Sequence, residues 1–231
     1  MYMNFESSDE FIREVCINKG FTNEEFEQAI SVISSLDESC WNHVSVVAYL
    51  LVKPTFLTQR ESIEDIIFSL KYLKFLEDKY RVRIAPKLEP AAIVNGTLLS
   101  LLHQDKDSSF HYEPLNYWAV LEILARIARD SKILGMNIRI GAREDMDEMM
   151  TPPAIYKEDG ETFHPFDFVV YEAIQKFNQH RSFYRLFAII GNIYREMNGI
   201  ALTERAPHWC IGWRISDQYG RLLQRRYVLP F

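Results

Sequence analysis

The sequence predicts an α/β fold. Three observations carry the prediction: capping boxes that open apolar-striped helices, continuous β-branched apolar runs between them, and the order strand–helix–strand–helix–strand in the first 90 residues. Strands alternating with helices imply parallel pairing with right-handed crossovers.

Each element has a local reason. Ser7-Ser8-Asp9-Glu10 places a hydroxyl three residues before a carboxylate, so a helix is expected over 8–17. Thr22-Asn23-Glu24-Glu25 repeats the pattern, with Phe21 and Phe26 at hydrophobic-staple spacing, and opens a helix over 23–35. The run Val44 to Val52 is β-branched and apolar in character and predicts a strand buried on both faces, ended by Lys53-Pro54. Thr58-Gln59-Arg60-Glu61 is a third capping box. Ile63, Ile66, Ile67, Leu70 and Leu73 follow at helical spacing, so this helix runs to about Lys79, and Arg81 to Ala85 is the next strand. A short helix after Asn95-Gly96-Thr97, a loop from Asp105 to Pro114, a helix from Leu115 to about Asp130 and a strand over Met136 to Gly141 complete the first part. Thr151-Pro152-Pro153 marks a break. It divides the chain into 1–150 and a mostly helical extension over 151–231, with helices near 166–178 and 183–197. Strand-like runs at 209–215 and 221–228, around Asp217-Gln218-Tyr219-Gly220, predict a terminal β-hairpin.

Composition narrows the function classes. The 231 residues are 48% apolar and 25% charged, which excludes disordered, collagenous and disulfide-framework proteins. The net charge of −6 argues against a broad nucleic-acid surface and leaves room only for a local basic groove. Cys16, Cys40 and Cys210 are an odd, widely spaced set, which fits a reducing cytoplasm. No run is long and apolar enough to span a membrane, and Met1 to Glu6 lacks the pattern of a signal peptide.

Motifs of independent chemistry are few. The chain has no glycine-rich phosphate loop, no Gly-x-Ser-x-Gly elbow and no His-Glu-x-x-His pair. His164 with Asp167, and His208 with Cys210, lack a second ligand pair at zinc spacing, so no metal site and no catalytic residue is assigned. Phe163, Phe166, Phe168, Phe177, Phe183, Tyr184 and Phe187 read as helix core, with base stacking as the alternative. Arg221, Arg225 and Arg226 beside Tyr219 and Tyr227 form the one basic-aromatic patch. It reads as a solvated hairpin face or, alternatively, as an RNA contact.

Four ordered blocks resemble one family. They are Phe5-Glu6-Ser7-Ser8-Asp9-Glu10 with Ile12-Arg13 and Ile17-Asn18-Lys19-Gly20-Phe21-Thr22; Tyr49 to Asp65 around Lys53-Pro54; Pro90-Ala91-Ala92-Ile93-Val94-Asn95-Gly96-Thr97-Leu98; and Tyr112 to Glu122. Together they resemble the elongator-like branch of the radical S-adenosylmethionine enzymes, a branch that includes proteins tied to tRNA modification. Asn4 stands where that family has glycine. The resemblance implies half of a partial (β/α) barrel, strands four to six of six. It also implies two cofactors, S-adenosylmethionine and a 4Fe-4S cluster. The family's Cys-x3-Cys-x2-Cys ligands are absent from this chain, and Cys16 and Cys40 cannot replace them. Radical chemistry by the isolated chain is therefore not expected.

By the same resemblance, Glu6 falls where relatives place a carboxylate or amide facing S-adenosylmethionine, and Lys19 where they place a basic residue near its carboxylate. A carboxylate can accept from ribose hydroxyls or an amine, and an ammonium can pair with a carboxylate. The structural alternatives are that Glu6 favours the following helix N-terminus and that Lys19 is a C-terminal helix charge before Gly20. Lys53 either terminates its strand or faces the barrel mouth. Tyr112, Pro114, Trp118 and Arg143 are further candidates, with core packing as the other reading. The expected partner is an N-terminal half-barrel protein or a second copy, with RNA as a further partner and no membrane. The competing function is a non-catalytic half-barrel that serves interaction or regulation.

Overall fold

The computed structural model describes residues 1–36, 45–115, 117–141 and 165–188, with side chains outside 117–118 and 165–172. The elements are β1 (Tyr2–Glu6), a π-helix (Ile12–Ile17), α1 (Asn23–Ser34), β2 (Ser45–Val52), α2 (Gln59–Tyr80), β3 (Arg83–Pro90), α3 (Leu98–Gln104), α4 (Tyr117–Arg129), β4 (Arg139–Ile140) and α5 (Pro165–His180). The four strands form one sheet in the order β1-β2-β3-β4, every pair parallel. The fold is α/β as expected, and the sheet is compatible with a partial (β/α) barrel. The expected terminal hairpin, the 221–226 arginines, Arg143, Cys40 and Cys210 lie outside the described residues.

Two of the three capping boxes form in full. The Thr22 hydroxyl accepts from Glu25 N while Thr22 N donates to Glu25, and Thr58 and Glu61 repeat the exchange. Phe21 and Phe26 stack with ring centroids 6.5 Å apart, completing the staple. The Ser7–Glu10 box does not form. The Ser7 hydroxyl accepts from Asp9 N at 2.9 Å in place of Glu10 N and donates to Asp65 in α2, and Asp9 Oδ1 accepts from Ile12 N at 3.2 Å. Glu10 reaches past the turn to accept from Asn23 N at 2.7 Å. The segment that follows is a π-helix, closed by Asn18 N donating to Arg13 O with Asn18 in the left-handed region.

β2 was expected to be buried on both faces, but its burial alternates. Val46, Ala48, Leu50 and Val52 are buried, while Val47, Tyr49 and Leu51 are partly exposed. The buried face packs against α2 through Ile66, Leu70 and Leu73, with Phe5, Phe26 and Ile30 filling the β1 end. The other face carries Asn4, Tyr49, Lys87 and Arg139 in one register row. Lys87 Nζ lies 5.2 Å from the Tyr49 ring centroid and 2.8 Å from Glu89.

β3 runs to Pro90 rather than stopping at Ala85, and Arg81 caps α2 in the left-handed region instead of starting the strand. Leu88 O accepts from Gly141 N at 2.6 Å, so even-numbered backbone groups of β3 face β4. Pro86 and Pro90 therefore withhold the two N–H groups that would lengthen the β4 ladder in either direction, and β4 is two residues long. The outer side of β4 is closed by side chains. Asn178 of α5 accepts from Ile140 N at 2.9 Å and donates to Ile140 O at 2.6 Å, and Arg181 donates to Ile138 O at 2.9 Å.

Candidate functional site

The site begins with a bulge. The β1–β2 register shifts between Asn4 and Glu6, and Glu6 takes a positive φ of 68°. An L-residue other than glycine adopts that conformation only where its surroundings impose it. Ser7 N donates to Phe5 O at 2.9 Å, and the Ser7 hydroxyl donates to Asp65 Oδ1 at 2.6 Å. Ser8 N donates to Ser69 Oγ at 2.8 Å. β1 thus ends on a turn anchored from α2.

Arg13 ties this turn to the Lys19 turn. Its side chain is 0% exposed, yet four acceptors surround it. Nη1 donates to Ser7 O at 2.6 Å and to Asn23 Oδ1 at 2.8 Å, Nε donates to Phe21 O at 3.0 Å, and Nη2 lies 3.4 Å from Glu10. Its guanidinium sits 4.7 Å from the Phe21 ring centroid and 5.4 Å from that of Phe5. Lys19 N donates to Arg13 O at 3.0 Å.

Glu6 and Lys19, separate in sequence, are brought together by these constraints: Lys19 Nζ lies 3.0 Å from Glu6 Oε1. The Glu6 side chain is 12% exposed and that of Lys19 is 34% exposed. A ligand that offers a carboxylate to Lys19 and hydrogen-bond donors to Glu6 would meet both groups of this pair with complementary chemistry. The pair sits at the C-terminal end of a parallel strand, the edge where barrel-type sites are built.

Lys53 does not join it. The residue after β2 also has a positive φ, 59°, but its ammonium is turned onto the Tyr112 ring, 5.0 Å from the centroid, and donates to Glu113 O. Tyr112 OH donates to Lys53 O at 2.9 Å. Burial lowers the Lys53 pKa and raises that of Tyr112. The pair packs one strand end instead of opening it, so the core-packing reading of Tyr112 holds. Pro114 is half-buried beside this pair, and the Trp118 side chain lies outside the described residues.

Cys16 is the one cysteine among the described residues, and burial, with Asp9 and Asp65 nearby, pushes its thiol up rather than toward the thiolate that iron requires. Among the described residues no three His, Cys, Asp or Glu side chains are placed to hold a metal ion. No described helix is long and apolar enough to cross a membrane.

Sequence reasoning missed Asp65, Ser69 and the hub role of Arg13. The signal was present in α2: Ser62, Asp65 and Ser69 recur at helical spacing inside an apolar stretch, and all three are buried.

The chain is similar to curated proteins over part of its length. It is 31% identical over 130 residues to an uncharacterised protein of Methanocaldococcus jannaschii, covering 56% of this chain and 31% of that protein. It is 31% identical over 119 residues to archaeosine synthase subunit beta of Methanosarcina acetivorans, covering 52% of this chain and 30% of that protein. To archaeosine synthase subunit beta of Thermococcus kodakarensis it is 25% identical over 179 residues, covering 76% of this chain and 46% of that protein. The chain thus spans between about a third and a half of the length of the curated relatives it matches. No family model and no solved structure matches it.

Proposed function

We propose that this chain is part of a tRNA-modifying enzyme of the radical S-adenosylmethionine type, in which Glu6 and Lys19 receive S-adenosylmethionine. The observation that carries the reading is the 3.0 Å Glu6–Lys19 pair at the C-terminal end of β1. Its adjacent carboxylate and ammonium match the amine or hydroxyl donors and the carboxylate of that molecule. The similarity to proteins named archaeosine synthase subunit beta supports both the tRNA context and a partner subunit.

Bound S-adenosylmethionine supplies the precursor of a radical. The residues described here do not fit the iron–sulfur cluster, whose thiolates belong to another part of the assembly. This chain's own contribution is to bind and orient: Lys19 holds a carboxylate, and Glu6 accepts donors from the ligand. The partner's approach is at β1, which pairs only with β2 among the described residues, whereas Asn178 and Arg181 cover β4.

The test is S-adenosylmethionine affinity, measured by calorimetry on the chain together with its partner subunit. Glu6→Ala and Lys19→Ala are each expected to weaken binding by at least about tenfold, because each removes the side chain that meets one polar group of the ligand. Wild-type affinity in both variants would refute this reading and favour the non-catalytic half-barrel.

A further inference from the structure

We infer that Asp65, reaching from α2, is a positioning residue for Glu6: through the Ser7 hydroxyl it holds the end of β1 in the left-handed turn that brings the Glu6 carboxylate onto Lys19. The inference rests on the proposed role of Glu6 and Lys19, and it assigns a function to a buried carboxylate that never touches the ligand.

The argument starts from backbone cost. A glutamate at φ 68° relaxes to extended backbone unless it is held. The restraints fall on the next residue, Ser7, which is 0% exposed and has every polar group engaged. Its N–H goes to Phe5 and its carbonyl accepts from Arg13, both neighbours in sequence. Its hydroxyl goes to Asp65, which lies 58 residues away. Ser69, one helical turn further along α2, takes Ser8 N. These α2 contacts tie the Ser7 hydroxyl and Ser8 N to a helix that Ile66, Leu70 and Leu73 fix in the core, while Asn23 of α1 holds Ser8 O at 2.9 Å from the other side. Asp65 is itself buried, 6% exposed, behind the turn. The same device recurs one strand over, where the left-handed Lys53 has its carbonyl held by the Tyr112 hydroxyl. In both cases a side chain from a distant element fixes a strained strand end.

The test uses the full chain and reads Glu6 directly, by its three-bond HN–Hα coupling and by the 15N shift of the Lys19 ammonium. Asp65→Ala and Ser7→Ala are expected to move both signals toward extended backbone and an unpaired lysine. Asp65→Asn, which keeps an acceptor for Ser7, leaves them unchanged. The double variant D65A/S7A is expected to be no worse than either single variant, as two ends of one contact require. S7A/D65N breaks the same contact without burying an unpaired charge, and it decides the matter where the alanine variants do not fold. With the partner subunit present, S-adenosylmethionine affinity drops about tenfold in S7A/D65N and stays at the wild-type level in D65N, since only the fraction of molecules with Glu6 in place binds. An unchanged Glu6 coupling in S7A/D65N overturns the anchor. Unchanged affinity in E6A overturns instead the ligand role on which it rests, so the two failures are distinguishable.

Discussion

Replacing Asp65 by asparagine isolates the energetic consequence of burying this carboxyl group. Burial raises its pKa from 3.8 to about 6, against the opposing hydrogen bond from Ser7 and with Asp9 adding to the rise. Between those two values the folded chain keeps a proton that the unfolded chain has released. Stability therefore falls as pH rises through the window from about 4 to 6, and the loss is complete above it. The displacement corresponds to about 3 kcal/mol. Asparagine cannot ionise, and its carbonyl still accepts from Ser7. Asp65 Oδ2, the atom its amide replaces, is buried without a hydrogen-bond partner. The stability of D65N relative to wild type is thus expected to climb by up to about 3 kcal/mol between pH 4 and pH 7, and to be level above that. Urea unfolding of the two proteins at unit pH intervals measures this, because every other titrating group cancels in the difference. A difference that is constant from pH 4 to pH 8 would refute the claim that Asp65 is forced to ionise in an environment that resists it.

Other perturbations follow from the same contacts. Arg13→Met keeps the apolar stem but leaves Ser7 O, Phe21 O and Asn23 without their donor, and is expected to cost about 3 kcal/mol or more in thermal unfolding. Thr58→Ala removes an intact capping box and should cost about 1 kcal/mol by urea titration, with no effect on S-adenosylmethionine affinity. Asn178→Ala strips both side-chain hydrogen bonds from Ile140, so amide exchange at Ile140 should accelerate and stability should fall by about 1–2 kcal/mol.

What could be read from the sequence was whatever is decided within a few residues. The Thr22 and Thr58 capping boxes and the Phe21–Phe26 staple are short-range devices, and they formed as expected. The Ser7–Glu10 box obeys the same spacing, but the Ser7 hydroxyl accepts from Asp9 N instead of Glu10 N while donating to Asp65, and Glu10 turns to Asn23 N, so the outcome depends on partners 13 and 58 residues away. β3 read too short because proline normally ends a strand. Here Pro86 and Pro90 are tolerated because β4 pairs only beside Lys87 and Leu88, the residues between them. The apolar run of β2 gave the strand but not the exposure of its second face, which depends on where the helices pack. Glu6 and Lys19 were named through family resemblance. Their 3.0 Å approach was not legible, since it depends on a bulge, a π-turn and a buried arginine acting together.

Among the described residues, the prolines of β3 and the amide of Asn178 leave this sheet with one receptive margin and one blunt one. Such a body is directional. Two copies meeting at the receptive margin would do so about a twofold axis, running their first strands in opposite senses, and would then present only blunt margins outward. Strand addition between these two described margins would stop after one step, which would let a short edge await a partner without seeding a fibre.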